Sequence, residues 1–156
     1  MTKRVLGFSL LFLFGLLLAA APAARAADNP DAFLGIWLNG EGTGLVQIFK
    51  KGEKYFGRVV WMKAPLTPEG KPQNDANNPD KAKSLLPVKG MVVMRDFKYT
   101  GNSKWEGGRI YDPNNGSDYT CEITMVNPNT LKVRGFIGIS LFGRTEVWKR
   151  TPMPAN

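Results

Sequence analysis

Apolar and polar positions alternate in short runs from residue 33 to residue 150, and a turn signal interrupts nearly every run. The pattern predicts strands at 33–38, 45–50, 55–62, 91–99, 104–112, 118–126, 130–137 and 144–149. The sixth is the clearest: Tyr119, Cys121, Ile123 and Met125 fall on one face, Asp118, Thr120, Glu122 and Thr124 on the other. Reversals are supplied by 39–44, 51–54, 100–103, 113–117, 127–129 and 138–143, which are rich in Gly, Asn and Pro. No amphipathic helix of ordinary length interrupts them. Eight short antiparallel strands expose two edges unless the sheet closes, so an all-β, up-and-down antiparallel barrel is expected. Gly35-Ile36-Trp37 opens this region and Trp148-Lys149-Arg150 ends it, as they would if the first and last strands meet.

One stretch breaks the rhythm. Residues 63–90 carry Pro65, Pro68, Pro72, Pro79 and Pro87 among a cluster of Asn and Asp. A connection this long in a small barrel is unusual. Within it, Asn78-Pro79-Asp80 reads as an N-cap followed by proline at the first helical position, predicting one or two helical turns that Pro87 stops. The segment is either a lid over a barrel mouth or a plain surface excursion. Residues 74–80 and 112–118 are Asp- and Asn-rich, but neither has the spacing or the acidic twelfth position of a calcium loop. Both read as turns, and no metal or cofactor is expected.

The hairpin of 91–111 holds the most suggestive chemistry. Simple alternation puts Arg95, Phe97 and Tyr99 on one face of its first strand, and Trp105, Arg109 and Tyr111 on one face of its second. The five-residue connection pairs Tyr99 with Trp105 and Arg95 with Arg109. Opposed arginines repel unless a bulge separates them or an anion or carboxylate sits nearby. If this face is the interior, the two guanidinium groups among aromatic rings would suit the carboxylate or phosphate head of an amphipathic ligand. The alternative is structural, with arginines stacked on rings at the rim or paired with acids.

Composition narrows the function classes. Lys3 and Arg4, an apolar run over 5–18 and Ala24-Arg25-Ala26 form a secretory leader, with cleavage expected after Ala26 and a single domain over 27–156. The apolar run falls short of the roughly 20 residues that a membrane span requires, so a secreted, periplasmic protein with no membrane span after cleavage is expected. Loss of Lys3, Arg4 and Arg25 takes the formal charge from +8 to +5. The remaining basic residues are scattered, which argues against nucleic acid as a partner. Cys121 is the only cysteine and lies on the apolar face of its strand, so it is expected to be buried and inert. The chain has no histidine, which removes the usual general base and every Ser-His or Cys-His nucleophile. No catalytic constellation is visible, and an enzyme would need a pair of converging carboxylates in a cleft.

Gly35-x-Trp37, Asp75-x-Asn77-Asn78-Pro79, the run from Trp105 through Gly107-Gly108 and Tyr111-Asp112-Pro113 to Tyr119, and Arg134-Gly135-Phe136-Ile137-Gly138 through Arg144 to Trp148 and Arg150 resemble the bacterial secreted family DUF2147. The resemblance spans nearly the whole mature chain and implies a lipocalin-like barrel, with no activity attached. A broader likeness to the calycins implies that Trp37 is packed by a C-terminal basic residue, Arg150 or Lys149, closing one barrel end.

The leading expectation is a small apolar or amphipathic ligand inside the barrel, lined by Trp61, Trp105, Tyr55, Tyr99, Tyr111, Arg95 and Arg109. The competing one is a filled barrel acting on an envelope partner through its surface, with Ile139, Leu141 and Phe142 of the 138–143 loop as the contact.

Overall fold

The computed structural model describes residues 29–153. The leader and its expected cleavage site lie outside these residues. Eight strands, β1 (Gly35–Leu38), β2 (Gly44–Lys51), β3 (Lys54–Met62), β4 (Val92–Gly101), β5 (Lys104–Asp112), β6 (Ser117–Asn127), β7 (Thr130–Phe136) and β8 (Arg144–Arg150), follow one another in chain order around a closed barrel. Every neighbouring pair is antiparallel, and β1 meets β8 through Trp37 opposite Arg150 and Leu38 opposite Lys149. Among the described residues no helix is long and apolar enough to cross a membrane.

The predicted strands fall within two residues of these bounds. The first begins two residues late because Pro30–Phe33 winds into a 3-10 turn instead, with the Asn29 side chain accepting from the Asp31 amide at 2.9 Å. Pro30 restricts the backbone at the start of that turn, and the turn delivers the fully buried Phe33 into the barrel end. There Phe33 meets Trp105 at a centroid distance of 4.6 Å and Tyr55 at 5.8 Å, and Tyr99 lies 5.1 Å from Trp105. With Phe97 and Met94 these rings fill this half of the barrel. This is the closed end, where the turns β2–β3, β4–β5 and β6–β7 also lie. The other four connections gather at the opposite end.

Alternation holds on β6 and β7, where Cys121, Ile123, Leu131 and Val133 all point inward and are at most 4% exposed. It fails in β4 and β5. Asp96 and Gly107 both take left-handed backbone angles, with φ 64° and 71°. Between Arg95–Arg109 and Lys98–Glu106 the pairing keeps its register but exchanges its faces. Phe97 and Trp105 are therefore interior, while Arg95 and Arg109 stand on the face opposite Met94 and Ile110.

The 63–91 connection is partly ordered by short bridges, Leu66 with Pro72 and Asn74 with Pro87. Its expected helix is a single 3-10 turn, Lys83–Leu85. Asn78 caps as expected, accepting from the Asp80 amide at 2.9 Å, and Asp80 carries the turn on, accepting from the Ala82 amide through its carboxylate and from the Lys83 and Ser84 amides through its carbonyl. Pro87 stops it, since the residue before a proline, Leu86, is held extended at φ −84° and ψ 143°.

Candidate functional site

The half of the barrel away from Phe33 is hollow. A cavity of about 1100 Å³ opens at the end where the longer connections gather, at the upper edge of the size usual for small-molecule sites. Its wall is built from inward positions of successive strands: Val46 on β2, Val59 on β3, Val93 on β4, Ile110 on β5, Val133 on β7 and Trp148 on β8. Small β-branched side chains at these positions leave space that the aromatic rings occupy at the closed end.

Polar groups ring the opening. Trp148 donates its indole N–H to Glu146 Oε2 at 3.1 Å, so a carboxylate sits on the inner face of β8. One Arg144 nitrogen lies 3.6 Å from Glu146 and 3.4 Å from Glu41 of the β1–β2 loop. These two carboxylates converge on a shared guanidinium, which pairs with both and offsets one of their two charges. Across the opening, Asn115 donates to the Tyr119 hydroxyl at 2.9 Å, and both residues line the cavity.

The 63–91 connection forms one wall of the mouth. Val88 joins the core, and Gln73, Asn74, Ala76 and Asn77 face the cavity. It is held by Asp75, which is fully buried and accepts from the Tyr111 hydroxyl at 2.9 Å and from Asn78 at 2.6 Å. Burial, and then the hydrogen bond to Asp75, push the Tyr111 hydroxyl up to about 12. Asn77 completes the attachment by donating to the carbonyls of Pro113 and Asn114. The two Asn- and Asp-rich segments of the sequence thus meet each other, as turns locked side chain to backbone.

Of the seven residues expected to line a ligand site, only Tyr111 does. Trp105, Tyr55 and Tyr99 belong to the aromatic plug of the closed end, where Trp105 donates to the Pro30 carbonyl and Tyr55 to Asp31. Trp61 pairs with Leu45 beyond a bulge at Leu45–Val46 and is not in the cavity wall. Arg95 and Arg109 oppose each other as expected, but on the outer face, for the left-handed residues Asp96 and Gly107 exchange the faces between them and the Tyr99–Trp105 pair. Asp118 relieves their repulsion: Arg95 grips it with two bonds of 2.8 and 2.6 Å, and Arg109 Nε donates to the same carboxylate. The expectation that these arginines meet an anionic head inside the barrel is therefore corrected.

Trp37 and Arg150 occupy the closed end. The Arg150 guanidinium lies 4.2 Å from the Trp37 ring centroid and donates to the carbonyls of Leu34, Ala32 and Pro128, each at 2.7 Å. Trp37 itself donates to the Phe33 carbonyl at 3.1 Å. Gly35, at φ 130°, leaves the space that the Arg150 side chain fills, which is the physical content of the Gly-x-Trp spacing. Lys149 turns away to Thr130. Cys121 is 1% exposed, and burial pushes its thiol strongly up.

Sequence reasoning missed Glu146, Arg144 and the valine wall. The signal was present in β8, where Arg144, Glu146 and Trp148 share one face by simple alternation. A further depression, between Ile36, Thr130, Arg150 and Pro152, lies outside the barrel and is broadly open to solvent.

Among solved structures, the chain is similar to one described as "Protein HP1028 from the human pathogen Helicobacter pylori belongs to the lipocalin family", with a TM-score of 0.66 and 21% sequence identity over 76% of this chain and 82% of that one. At that identity the likeness is one of fold. No curated protein matches the sequence significantly. The family described as "Uncharacterized protein conserved in bacteria (DUF2147)" matches residues 35–150, the whole of the barrel. The chain belongs to the DUF2147 family of bacterial proteins, and its fold is a lipocalin-type barrel.

Proposed function

We propose that this protein is a secreted, periplasmic binding protein that holds a small apolar or amphipathic molecule in the open half of its barrel. The observation that carries this reading is the cavity itself, walled by Val46, Val59, Val93, Ile110, Val133 and Trp148, with polar groups such as Asn115, Tyr119, Arg144 and Glu146 completing its lining. Transfer of an apolar body from water into such a wall is favourable by roughly 25 cal/mol per Å² buried. Tyr111, Tyr119 and the Arg144–Glu146 pair offer hydrogen bonds to a head group held at the mouth. The lipocalin-type fold supports the same reading, as does the leader over 1–26, which would deliver the protein to the periplasm.

The test is native mass spectrometry of protein purified from the periplasm, with organic extraction of anything that co-purifies. Titration with the fluorescent apolar probe N-phenyl-1-naphthylamine gives an independent readout. Val133→Trp, which fills the cavity from an inward position, should weaken probe binding at least tenfold with the barrel still folded. Equal binding in this variant would place the ligand elsewhere and sink the proposal. The amino terminus of the mature protein, expected at Ala27, tests export.

A further inference from the structure

The open end carries large apolar side chains that the barrel does not use. Ile137, Ile139, Leu141 and Phe142, all in the connection between β7 and β8, are 72, 59, 77 and 80% exposed. An exposed cluster of this kind marks an interaction surface. The connection is not slack. Arg134 donates from Nε to the Ser140 carbonyl at 2.9 Å and from a terminal nitrogen to the Leu141 carbonyl at 3.2 Å, while Ser140 Oγ donates to Glu122 at 2.8 Å. The Phe142 and Gly143 amides close a 3-10 turn onto Ile139 and Ser140. The carbonyls of Ile139, Ser140 and Leu141 are thus satisfied locally while the apolar side chains face outward, a disposition suited to an interfacial segment.

Three further observations select the occupant. Ile137 and Phe142 also line the cavity, so the apolar surface and the interior are continuous at this loop. Residues 136–145 contain no carboxylate. At the same end of the barrel, the 63–91 connection presents Leu85 and Leu86, 73 and 53% exposed, between the exposed Lys81, Lys83 and Lys89. Residues 81–95 also lack any acid, although Lys83 pairs with Asp80 at 3.4 Å. Apolar tips flanked by lysines are the chemistry of an anionic lipid surface.

We infer that the open end docks on an anionic bilayer, with Leu141 and Phe142 inserted, Lys81, Lys83 and Lys89 against the head groups, and the cavity exchanging its ligand directly with the membrane. The exchange rests on the binding reading above; the docking does not.

Co-sedimentation of the mature protein with vesicles of phosphatidylcholine, alone or mixed equally with phosphatidylglycerol, tests it. Binding is expected to the mixed vesicles, at least tenfold stronger than to phosphatidylcholine. The double variant Leu141→Glu/Phe142→Glu should lose it at least tenfold. Lys81→Ala/Lys83→Ala/Lys89→Ala should weaken it and flatten its salt dependence. Because these positions are exposed, both variants should keep the wild-type unfolding midpoint, and the lysine variant, which changes no cavity residue, should keep the wild-type affinity for N-phenyl-1-naphthylamine without vesicles. Phe142→Trp gives a second readout, a blue-shifted emission component that appears only with mixed vesicles. Absence of wild-type binding, undiminished binding by the glutamate variant, or an unshifted Phe142→Trp signal would each overturn the docking. So would a wild-type dimer that the glutamate variant disperses, if no vesicle binding accompanies it. Vesicle binding without probe binding would uphold docking and defeat the cavity reading.

Discussion

The guanidinium of Arg150 lies 4.2 Å from the ring centroid of Trp37, joining the last strand to the first while it ties down three carbonyls, those of Ala32, Leu34 and Pro128. Two of these belong to the segment that carries Phe33 into the closed end. Arg150→Ala removes the cation from the ring and the donors from all three oxygens. Charge-assisted hydrogen bonds contribute roughly 1.5–3 kcal/mol each, and partly exposed ones less. A loss of about 2–4 kcal/mol is expected in urea unfolding followed by tryptophan fluorescence. Arg150→Lys should fall between, because an ammonium cannot span three acceptors. A stability within about 0.5 kcal/mol of wild type would show that the closure lies elsewhere.

Gly107 and Gly108 are adjacent but should fail differently. A Cβ on Gly108 would overlap the buried Phe97 ring, whereas a Cβ on Gly107 meets open space but must take φ 71°. Gly107→Ala should cost about 1 kcal/mol through backbone strain. Gly108→Ala should cost about 1–3 kcal/mol through overpacking. Adding Phe97→Leu should relieve the second and not the first, which a double-mutant cycle reads directly.

Asp118 holds both outward arginines. Burial pushes its carboxyl up, but the hydrogen bonds from Arg95 and then Arg109 outweigh that and hold it below the usual carboxylate range. Its folded value is depressed, so the stability it contributes is present above the unfolded value of about 4 and is lost as pH falls through the folded one. Unfolding curves of wild type and Asp118→Asn should therefore converge below about pH 4. Arg95→Ala should cost about 1 kcal/mol, as expected of a partly exposed pair, and leave probe affinity unchanged. A tenfold loss of affinity would return the arginines to the ligand site.

Tyr111 is the hinge pin of the mouth. Its hydroxyl, pushed up to about 12 by burial and by Asp75, has a raised folded value, so its contribution is intact below about pH 10 and lost between there and pH 12. Absorbance titration of tyrosinate should show a late step that Tyr111→Phe removes. The same variant leaves the buried Asp75 without one donor and should speed proteolysis within 63–91. An unchanged cleavage rate would mean that Asn77 and the buried Val88 secure the segment without it.

Cys121 should be silent. At 1% exposure, with burial pushing the thiol up, it should not react with an aromatic disulfide reagent at pH 8 until the barrel is unfolded in urea. Stoichiometric labelling of the native protein would contradict the buried placement.

The barrel was legible in the chain because its cause is local. Period-two alternation and turn chemistry place each strand within a couple of residues, and a small sheet with unpaired edges gains by closing. The register of the β4–β5 hairpin was legible too, since a five-residue connection sets it and Arg95 does face Arg109. Parity was not. Two left-handed residues, Asp96 and Gly107, exchange the faces between one end of that hairpin and the other, and they carried Arg95 and Arg109 out of the interior.

What the sequence by itself determined is therefore the strand order, the turns, the buried thiol and, through Gly35, Trp37 and Arg150, the residues that meet at the closure. Which half of the barrel is filled and which is hollow was decided only in three dimensions. Phe33 reaches Trp105 across more than seventy positions of chain, and the plug they form with Tyr55, Tyr99 and Phe97 uses up the aromatic side chains that looked like a binding site. The cavity is what the valines leave at the other end. No local pattern encodes that space, because it arises from side chains of different strands being small at the same height.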